Sequence, residues 1–304
     1  MTKRYRQAVL ASCEIPWDEN FDLIEETFRK EVQQTIGAGF NNLYIFGTAG
    51  EGYAVTSSQF KDISGIFREE TLGQEIYPMV GVIGMSTNQV VEKIGIAHDI
   101  GFRVFQISLP PWGELNNVEY MTYFTDVCGS FPDSEFLHYN LPRTKRVLVT
   151  EDYKCLQDAV PNLVATKYTS ASSNECASLV QETDLQHFFG DQNFPMGCLH
   201  GECSLLTSYG AMMPKRTFEY FQYGISGDFE NLFRIQAKIL KAADDFLGPV
   251  RGEAMIDGGY DKMIVRASGI DMPLRILSPY QGIDINTFEA CLDILKNKHG
   301  DWLM

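Results

Sequence analysis

The sequence predicts a (β/α)8 barrel followed by a C-terminal helical region. Eight short apolar runs of strand length alternate with helix-length segments and are spaced evenly over residues 8–210. No GxGxxG motif follows the first run, which disfavours a dinucleotide-binding sheet, although chain order alone leaves a doubly wound open sheet as the alternative. The length of 304 residues suits one barrel of roughly 250 residues with an appendage.

The individual elements follow from turn signals and periodicity. The eight strands are predicted at residues 8–13, 42–47, 77–84, 103–109, 135–140, 163–168, 187–190 and 203–210. The first helix carries an apolar residue at every fourth position and ends at Gly37. A capping box formed by Thr56 and Gln59 places the start of the second helix just after a glycine-rich loop. Further barrel helices are predicted near residues 86–99, 116–129, 151–158 and 172–183.

The pattern changes close to residue 215, where strand-like runs stop. The segments 216–224, 230–247 and 285–298 all have the apolar spacing of helices. The barrel is therefore expected to occupy residues 1–214, and a helical region packed on it is expected to occupy residues 215–304.

Composition and charge exclude several classes of function. The net charge of −15 disfavours binding to the phosphate backbone of nucleic acids, and an apolar fraction of 44% argues against disorder. No window approaches the ~18 apolar residues of a membrane span, and the first apolar stretch is too short for a signal peptide. The seven cysteines are odd in number and include no CxxC pair. These features predict a cytoplasmic protein with reduced thiols and no membrane partner.

Lys167 ends a run that otherwise has the composition of a buried strand. The run follows the turn signal Pro161-Asn162 and continues with Leu163, Val164 and Ala165. Burying an ammonium group without a partner costs several kcal/mol, so such a lysine either lies at the surface or has a function. A solvent-exposed strand end is the simpler interpretation of this position taken alone.

Residues at the carboxyl ends of barrel strands face the active site. Here those ends carry the loop 47–52 (GTAGEG), the segment 109–113 (LPPWG), the segment 138–143 (HYNLPR) and Lys167. A desolvated lysine is a nucleophile at neutral pH and can form a Schiff base with a ketone. A phenol beside it can transfer the protons that this chemistry requires, and amides of a glycine loop can bind a carboxylate.

Three of these motifs occur in an order and spacing that resemble a known family. GTAGE is followed by YNLP, with Tyr139 92 residues after Gly47, and by Lys167 28 residues after Tyr139. This arrangement resembles the dihydrodipicolinate synthase/N-acetylneuraminate lyase family of class I, Schiff-base aldolases, and GDQ at 190–192 extends the resemblance to the seventh strand. The resemblance implies a barrel with C-terminal helices that assembles as a homotetramer or homodimer.

The same resemblance implies roles for individual residues. Lys167 corresponds to the Schiff-base lysine and Tyr139 to the phenol that transfers protons at the imine. Gly47 and Thr48, with Ala49 and Gly50 in the loop, correspond to the turn that binds the substrate carboxylate. No cofactor is implied, because the lysine itself supplies the electron sink. No metal site is implied either, since the histidines lack HxH or HxxxH spacing.

Three departures from the family pattern concern the substrate. Ala49 stands where much of the family has a second hydroxyl residue, and Trp112 stands in the segment where the synthases have a tyrosine. Arg143 lies one place closer to Tyr139 than the usual synthase arginine. The candidates to bind a second carboxylate or a hydroxylated tail are Arg143, Lys145 and Arg146. Trp112 is a candidate to form one wall of the pocket around a bulkier substrate.

The sequence therefore predicts a cytoplasmic lyase of the class I aldolase type whose partner is a small-molecule 2-oxo acid. The substrate is expected to be pyruvate or a pyruvate-releasing sugar acid. A 2-keto-3-deoxy sugar acid dehydratase and a true dihydrodipicolinate synthase are the alternatives, the latter disfavoured because Ala49 and Trp112 remove two hydroxyls. A non-catalytic keto-acid sensor or scaffold barrel is the alternative from a different class.

Overall fold

A computed structural model of the protein describes residues 2–169, 171–252 and 255–303. Its eight parallel strands close into a barrel in chain order, because β1 pairs with both β2 and β8. The strands are β1 (Val9–Ser12), β2 (Asn42–Ile45), β3 (Tyr77–Val82), β4 (Val104–Ile107), β5 (Glu135–Asn140), β6 (Leu163–Tyr168), β7 (Gln186–Gly190) and β8 (Ser204–Leu206). The (β/α)8 prediction is confirmed, and the open sheet is excluded by the β1–β8 pairing.

Helices follow the strands around the outside of the barrel. They are α1 (Glu25–Gly37), α2 (Ser57–Thr71), α3 (Thr87–Ile100), α4 (Asn117–Gly129), α5 (Thr150–Ala159), α6 (Ser173–Glu182), α7 (Phe194–Cys198) and α8 (Pro214–Ser226). The C-terminal helices are α9 (Phe229–Leu247), α10 (Asp257–Ala267) and α11 (Ile285–His299). The predicted capping box is present at the start of α2, where the Gln59 amide donates to the Thr56 hydroxyl at 3.2 Å.

The core has two layers, one on each side of the strands. The inner layer fills the barrel with side chains that include Leu10, Tyr44, Met79, Leu137 and Phe188. The larger outer layer packs the opposite strand faces against the helices. Because successive side chains of a strand point to opposite faces, this division determines which residues reach the barrel mouth.

The C-terminal helices contribute both to the outer packing and to the mouth of the barrel. Helix α9 packs against α8 and α11 on the outside. Helix α10 instead approaches the glycine-rich loop after β2. The two are so close that a Cβ atom on Gly258 would lie 2.8 Å from the Ala49 carbonyl oxygen. The division of the chain at residue 214 stays a prediction. Within the described ranges, no helix is long and apolar enough to cross a membrane.

Helices α7 and α10 are the elements that the sequence pattern did not predict. Helix α7 has only five residues. Helix α10 begins with Gly258 and Gly259, and glycine disfavours helix by about 1 kcal/mol relative to alanine. The close contact with the Ala49 carbonyl explains why Gly258 is tolerated there despite that cost.

Candidate active site

Lys167 lies on the inner face of the barrel near the carboxyl end of β6. Ala165 belongs to the inner core layer, and two residues later the strand returns to the same face at Lys167. The side chain is only 4% exposed, and its Nζ lies 4.0 Å from the centre of the Tyr139 ring. The structure therefore brings together the predicted nucleophile and the predicted phenol, and the interpretation of Lys167 as a solvent-exposed strand end is wrong.

Burial changes the acidity of the Lys167 ammonium group. Desolvation lowers the pKa of Lys167 to about 8, while the negative charges of Asp257, Asp261 and Glu14 oppose this shift. A pKa of about 8 leaves roughly a tenth of the side chain as the free amine at pH 7, compared with well under 0.1% for an ordinary lysine. A larger share of Lys167 than of an ordinary lysine is thus neutral, and therefore nucleophilic, near pH 7.

The rate of attack by Lys167 on pyruvate is expected to follow this pKa. Because the neutral amine is the nucleophile, the rate should rise as pH increases and level off above a midpoint of about 8. Borohydride trapping of the adduct at short times, from pH 6 to pH 10.5, measures the profile. A rate that keeps rising beyond pH 10 would show that Lys167 titrates like an exposed lysine.

Tyr139 is the second buried group of the site. It pairs with Lys167 in the β5–β6 register, and the buried Thr48 side chain lies close enough to its hydroxyl to act on its pKa. Burial raises the pKa of Tyr139 well above its usual value, so the phenol stays protonated and can donate. Its neighbour His138 points outward, as expected from strand alternation, and its Nδ1 lies 2.8 Å from the Tyr153 hydroxyl.

The loop 47–52 is tightly folded above these residues. The amides of Glu51 and Gly52 donate to the carbonyl oxygens of Thr48 and Gly47, at 3.2 and 3.1 Å. A Cβ atom on Gly52 would lie 2.2 Å from the Phe46 carbonyl oxygen, so this position requires glycine. The loop is thereby fixed in one conformation, with Thr48 at the Tyr139 hydroxyl.

Glu51 holds this loop against the C-terminal region. Its side chain is fully buried and forms an ion pair with Lys262 of α10, with 2.6 Å between Oε1 and Nζ. The Trp17 indole also donates to Glu51 Oε1, at 2.9 Å, and the Leu277 amide donates to Oε2. Glu51 thus lies in the loop, before α2 begins at Ser57, and connects the loop to α10.

Lys167 is surrounded by a set of polar residues that the sequence did not indicate. The Nζ of Lys167 donates to the hydroxyl of Tyr44 across the barrel, at 2.9 Å. Asp257 and Asp261 of α10 and Glu14 after β1 act on Lys167 through their charges. Glu14 is 1% exposed, and burial raises its pKa to about 7. In the sequence, Glu14 lies beside an apolar run, as Lys167 does, and this pattern could have identified it as a candidate site residue.

The two predicted contacts for a substrate tail lie farther out. Trp112 is 80% exposed in the segment after β4, which places its indole at the surface rather than in the buried pocket. Arg143 is half exposed and donates to both carboxylate oxygens of Asp257, at 2.7 and 3.0 Å. The Arg143 guanidinium is therefore held at the mouth by α10, close enough for its charge to act on Tyr139.

The sequence is similar to that of known proteins over most of its length. A sequence model of the dihydrodipicolinate synthetase family matches residues 6–251. An N-acetylneuraminate lyase from Salmonella paratyphi B is 24% identical over 241 residues, which cover 78% of this chain and 80% of the relative.

Solved structures show the same fold at lower sequence identity. An N-acetylneuraminate lyase from Proteus mirabilis superposes with a TM-score of 0.85 at 17% identity, covering 97% of this chain and 99% of that one. A prophage protein of the dihydrodipicolinic acid synthase family from E. coli K12, solved with pyruvate, gives a TM-score of 0.84 at 17% identity, covering 96% and 98%. The family match thus confirms the expected lyase of the class I aldolase type, and the chain belongs to the dihydrodipicolinate synthetase family.

Proposed function

We propose that this protein is a Schiff-base-forming lyase that acts on a 2-oxo acid, either pyruvate or a pyruvate-releasing sugar acid. Members of its family are Schiff-base lyases of pyruvate-type substrates. The observation that carries the proposal is the buried Lys167, whose pKa is lowered to about 8 beside the Tyr139 ring. A site that only binds an anion has no need of an amine that is partly neutral at pH 7.

The proposed reaction begins with the attack of neutral Lys167 Nζ on the ketone carbon. The carbonyl oxygen takes protons from the Tyr139 hydroxyl and leaves as water, so that a protonated imine forms on Lys167. This cation withdraws electrons from the adjacent carbon–carbon bond, which can then break or form. Thr48 and amides of the loop 47–52 bind the substrate carboxylate, and the Thr48 hydroxyl beside Tyr139 helps to orient the phenol.

The mouth of the pocket bears on the choice of substrate. Ala49 has no hydroxyl to extend a relay from Thr48, which disfavours a true dihydrodipicolinate synthase. The ion pair of Arg143 with Asp257 offers both a cation and a carboxylate to whatever extends from the 2-oxo acid. A hydroxylated tail can use both groups as hydrogen-bond partners, so a pyruvate-releasing sugar acid fits this mouth. A 2-keto-3-deoxy sugar acid dehydratase would use the same contacts.

Reductive trapping tests this proposal. The protein is incubated with pyruvate, reduced with borohydride and digested, and the modified peptide is identified by mass spectrometry. We expect one adduct, on Lys167, that is absent in Lys167→Ala. The matched control is Lys3→Met: burial also lowers the pKa of Lys3, but its Nζ donates to the Val180 and Thr183 carbonyls, remote from the loop 47–52.

The possible outcomes separate the candidate functions. An adduct on Lys167 that persists in Lys3→Met supports the lyase. Absence of any adduct with pyruvate and with a panel of longer 2-oxo acids would contradict it and favour a sensor barrel. If the adduct forms, release of pyruvate from a sugar acid identifies an aldolase, whereas loss of water with the carbon chain intact identifies a dehydratase.

A further inference from the structure

Tyr44 crosses the interior of the barrel beneath the reactive lysine. It lies in the inner core layer on β2, is 3% exposed, and its hydroxyl is the hydrogen-bond acceptor for Lys167 Nζ at 2.9 Å. Its ring occupies the space beside Gly47, where a Cβ atom would lie 2.7 Å from a ring carbon. The first glycine of the loop therefore makes room for the Tyr44 ring.

A series of polar groups continues from Tyr44 to the carboxyl end of β1. Ser12 pairs with Tyr44 in the register of β1 and β2, and its hydroxyl lies close enough to both Tyr44 and Glu14 to lower their pKa values. Glu14 is buried, and its Oε2 has no hydrogen-bond partner among the described residues. Burial raises the pKa of Glu14 to about 7, so this carboxylate can both accept and release a proton near neutral pH.

Imine formation requires a proton acceptor close to the Lys167 nitrogen. When neutral Nζ bonds to the ketone carbon, the nitrogen becomes positively charged and holds two protons. One of them must leave before the nitrogen lone pair can form the C=N bond and expel water. Tyr139 lies beside Thr48 and serves the departing oxygen, and Ala49 offers no second hydroxyl. A group that touches Nζ is therefore the direct route for the nitrogen proton.

We propose that Tyr44 is a second catalytic residue, which accepts the proton from Nζ while its own hydroxyl proton passes through Ser12 to the Glu14 carboxylate. This inference rests on the proposed function. The ketone oxygen takes two protons by way of Tyr139, which solvent reprotonates, and departs as water. The nitrogen loses one proton to Glu14 and keeps one, so the product is the protonated imine. Hydrolysis of the imine runs these transfers in reverse, and Glu14 then returns its proton to the nitrogen.

The test is the rate of imine formation in Tyr44→Phe, which keeps the ring and removes the hydroxyl. Protein and pyruvate are mixed rapidly, quenched with borohydride at set times and analysed by intact mass. We expect the adduct to form on Lys167 about 10²-fold more slowly or worse, with an unchanged half-saturating pyruvate concentration. The matched control is Tyr168→Phe, which removes another buried hydroxyl, bonded to the Leu148 carbonyl at 2.7 Å, and should react at the wild-type rate.

Glu14→Gln separates the relay from a simple charge effect. The Glu14 carboxylate raises the pKa of Lys167, so a purely electrostatic role predicts faster attack at neutral pH when the charge is removed. The relay predicts slower imine formation instead. It also predicts that the double variant Tyr44→Phe/Glu14→Gln is no slower than the slower single variant, because both changes interrupt the same chain.

Either of two other results would contradict the proposed proton transfer from Nζ through Tyr44 and Ser12 to Glu14. A wild-type rate in Tyr44→Phe would show that the hydroxyl has no part in the step. A wild-type or faster rate in Glu14→Gln would show that Glu14 does not store the proton. Either outcome leaves the Lys167 chemistry intact. If the wild-type protein forms no adduct with any 2-oxo acid, the proposed function fails and the relay fails with it.

Discussion

Replacement of Lys167 by alanine is expected to lower kcat for the proposed lyase reaction by about 10⁴-fold or more, the scale of loss seen when a covalent nucleophile is removed. Without Nζ there is no imine, so no electron sink forms beside the bond that breaks. The loop 47–52 and Thr48 remain in place, so binding of pyruvate should weaken much less than turnover. Steady-state kinetics and pyruvate titration by calorimetry measure the two effects separately.

Lys167→Arg is the control that distinguishes a nucleophile from a positive charge. A guanidinium stays protonated in proteins and cannot attack a carbonyl carbon. Turnover should therefore be lost in the arginine variant as fully as in the alanine variant. Substantial turnover in Lys167→Arg would mean that the site works through charge alone and would contradict the imine mechanism.

Replacement of Lys262 by methionine is expected to lower the free energy of unfolding by about 3–5 kcal/mol. The change leaves the Glu51 carboxylate buried without its counter-ion, and removing one partner of a buried pair exposes the other to the full desolvation cost. Because Glu51 also fixes the loop 47–52, we expect weaker binding of the 2-oxo acid as well. Urea unfolding followed by circular dichroism measures the stability, and reductive trapping at graded pyruvate concentrations measures the binding.

Two further variants test whether burial of the Glu51–Lys262 ion pair is the cause of the lost stability. Lys154→Met removes an exposed lysine that pairs with Glu151 and Glu182, both at 3.1 Å, and should cost only about 0–1 kcal/mol. Glu51→Gln/Lys262→Met removes both charges of the buried pair and should recover part of the lost stability. Equal losses in Lys154→Met and Lys262→Met would show that the buried pair does not anchor the loop.

The strands and most helices could be predicted because they depend on local patterns. A strand buried on both faces is a short apolar run between turn signals; seven of the eight predicted runs contain an observed strand, and the run 187–190 lies within β7, which begins one residue earlier. The observed β5 and β6 have the predicted bounds, whereas β8 shrinks to Ser204–Leu206. Helix α10 was not predicted because glycine disfavours a helix, and Gly258 is required there by a contact with the Ala49 carbonyl that no local pattern reveals.

The candidate site was predictable where it lies at strand ends that are neighbours in the barrel. Lys167 and Tyr139 end consecutive strands, so a parallel barrel necessarily places them side by side. Tyr44 was not predictable in the same way. It lies opposite Lys167 across the barrel interior, and the contact depends on the diameter of the barrel and on the absence of a side chain at Gly47.

The sequence by itself determined the barrel, the pairing of a nucleophile with a phenol, and the family to which they point. These features follow from periodicity and from the order of strand ends. Only the tertiary structure decided the electrostatics of the site. The pKa of Lys167 is lowered because the surrounding barrel removes water from it, and α10 brings Asp257 and Asp261 to the mouth from about 90 residues away in the chain. Desolvation and charge depend on distances in space, which spacing along the chain does not specify.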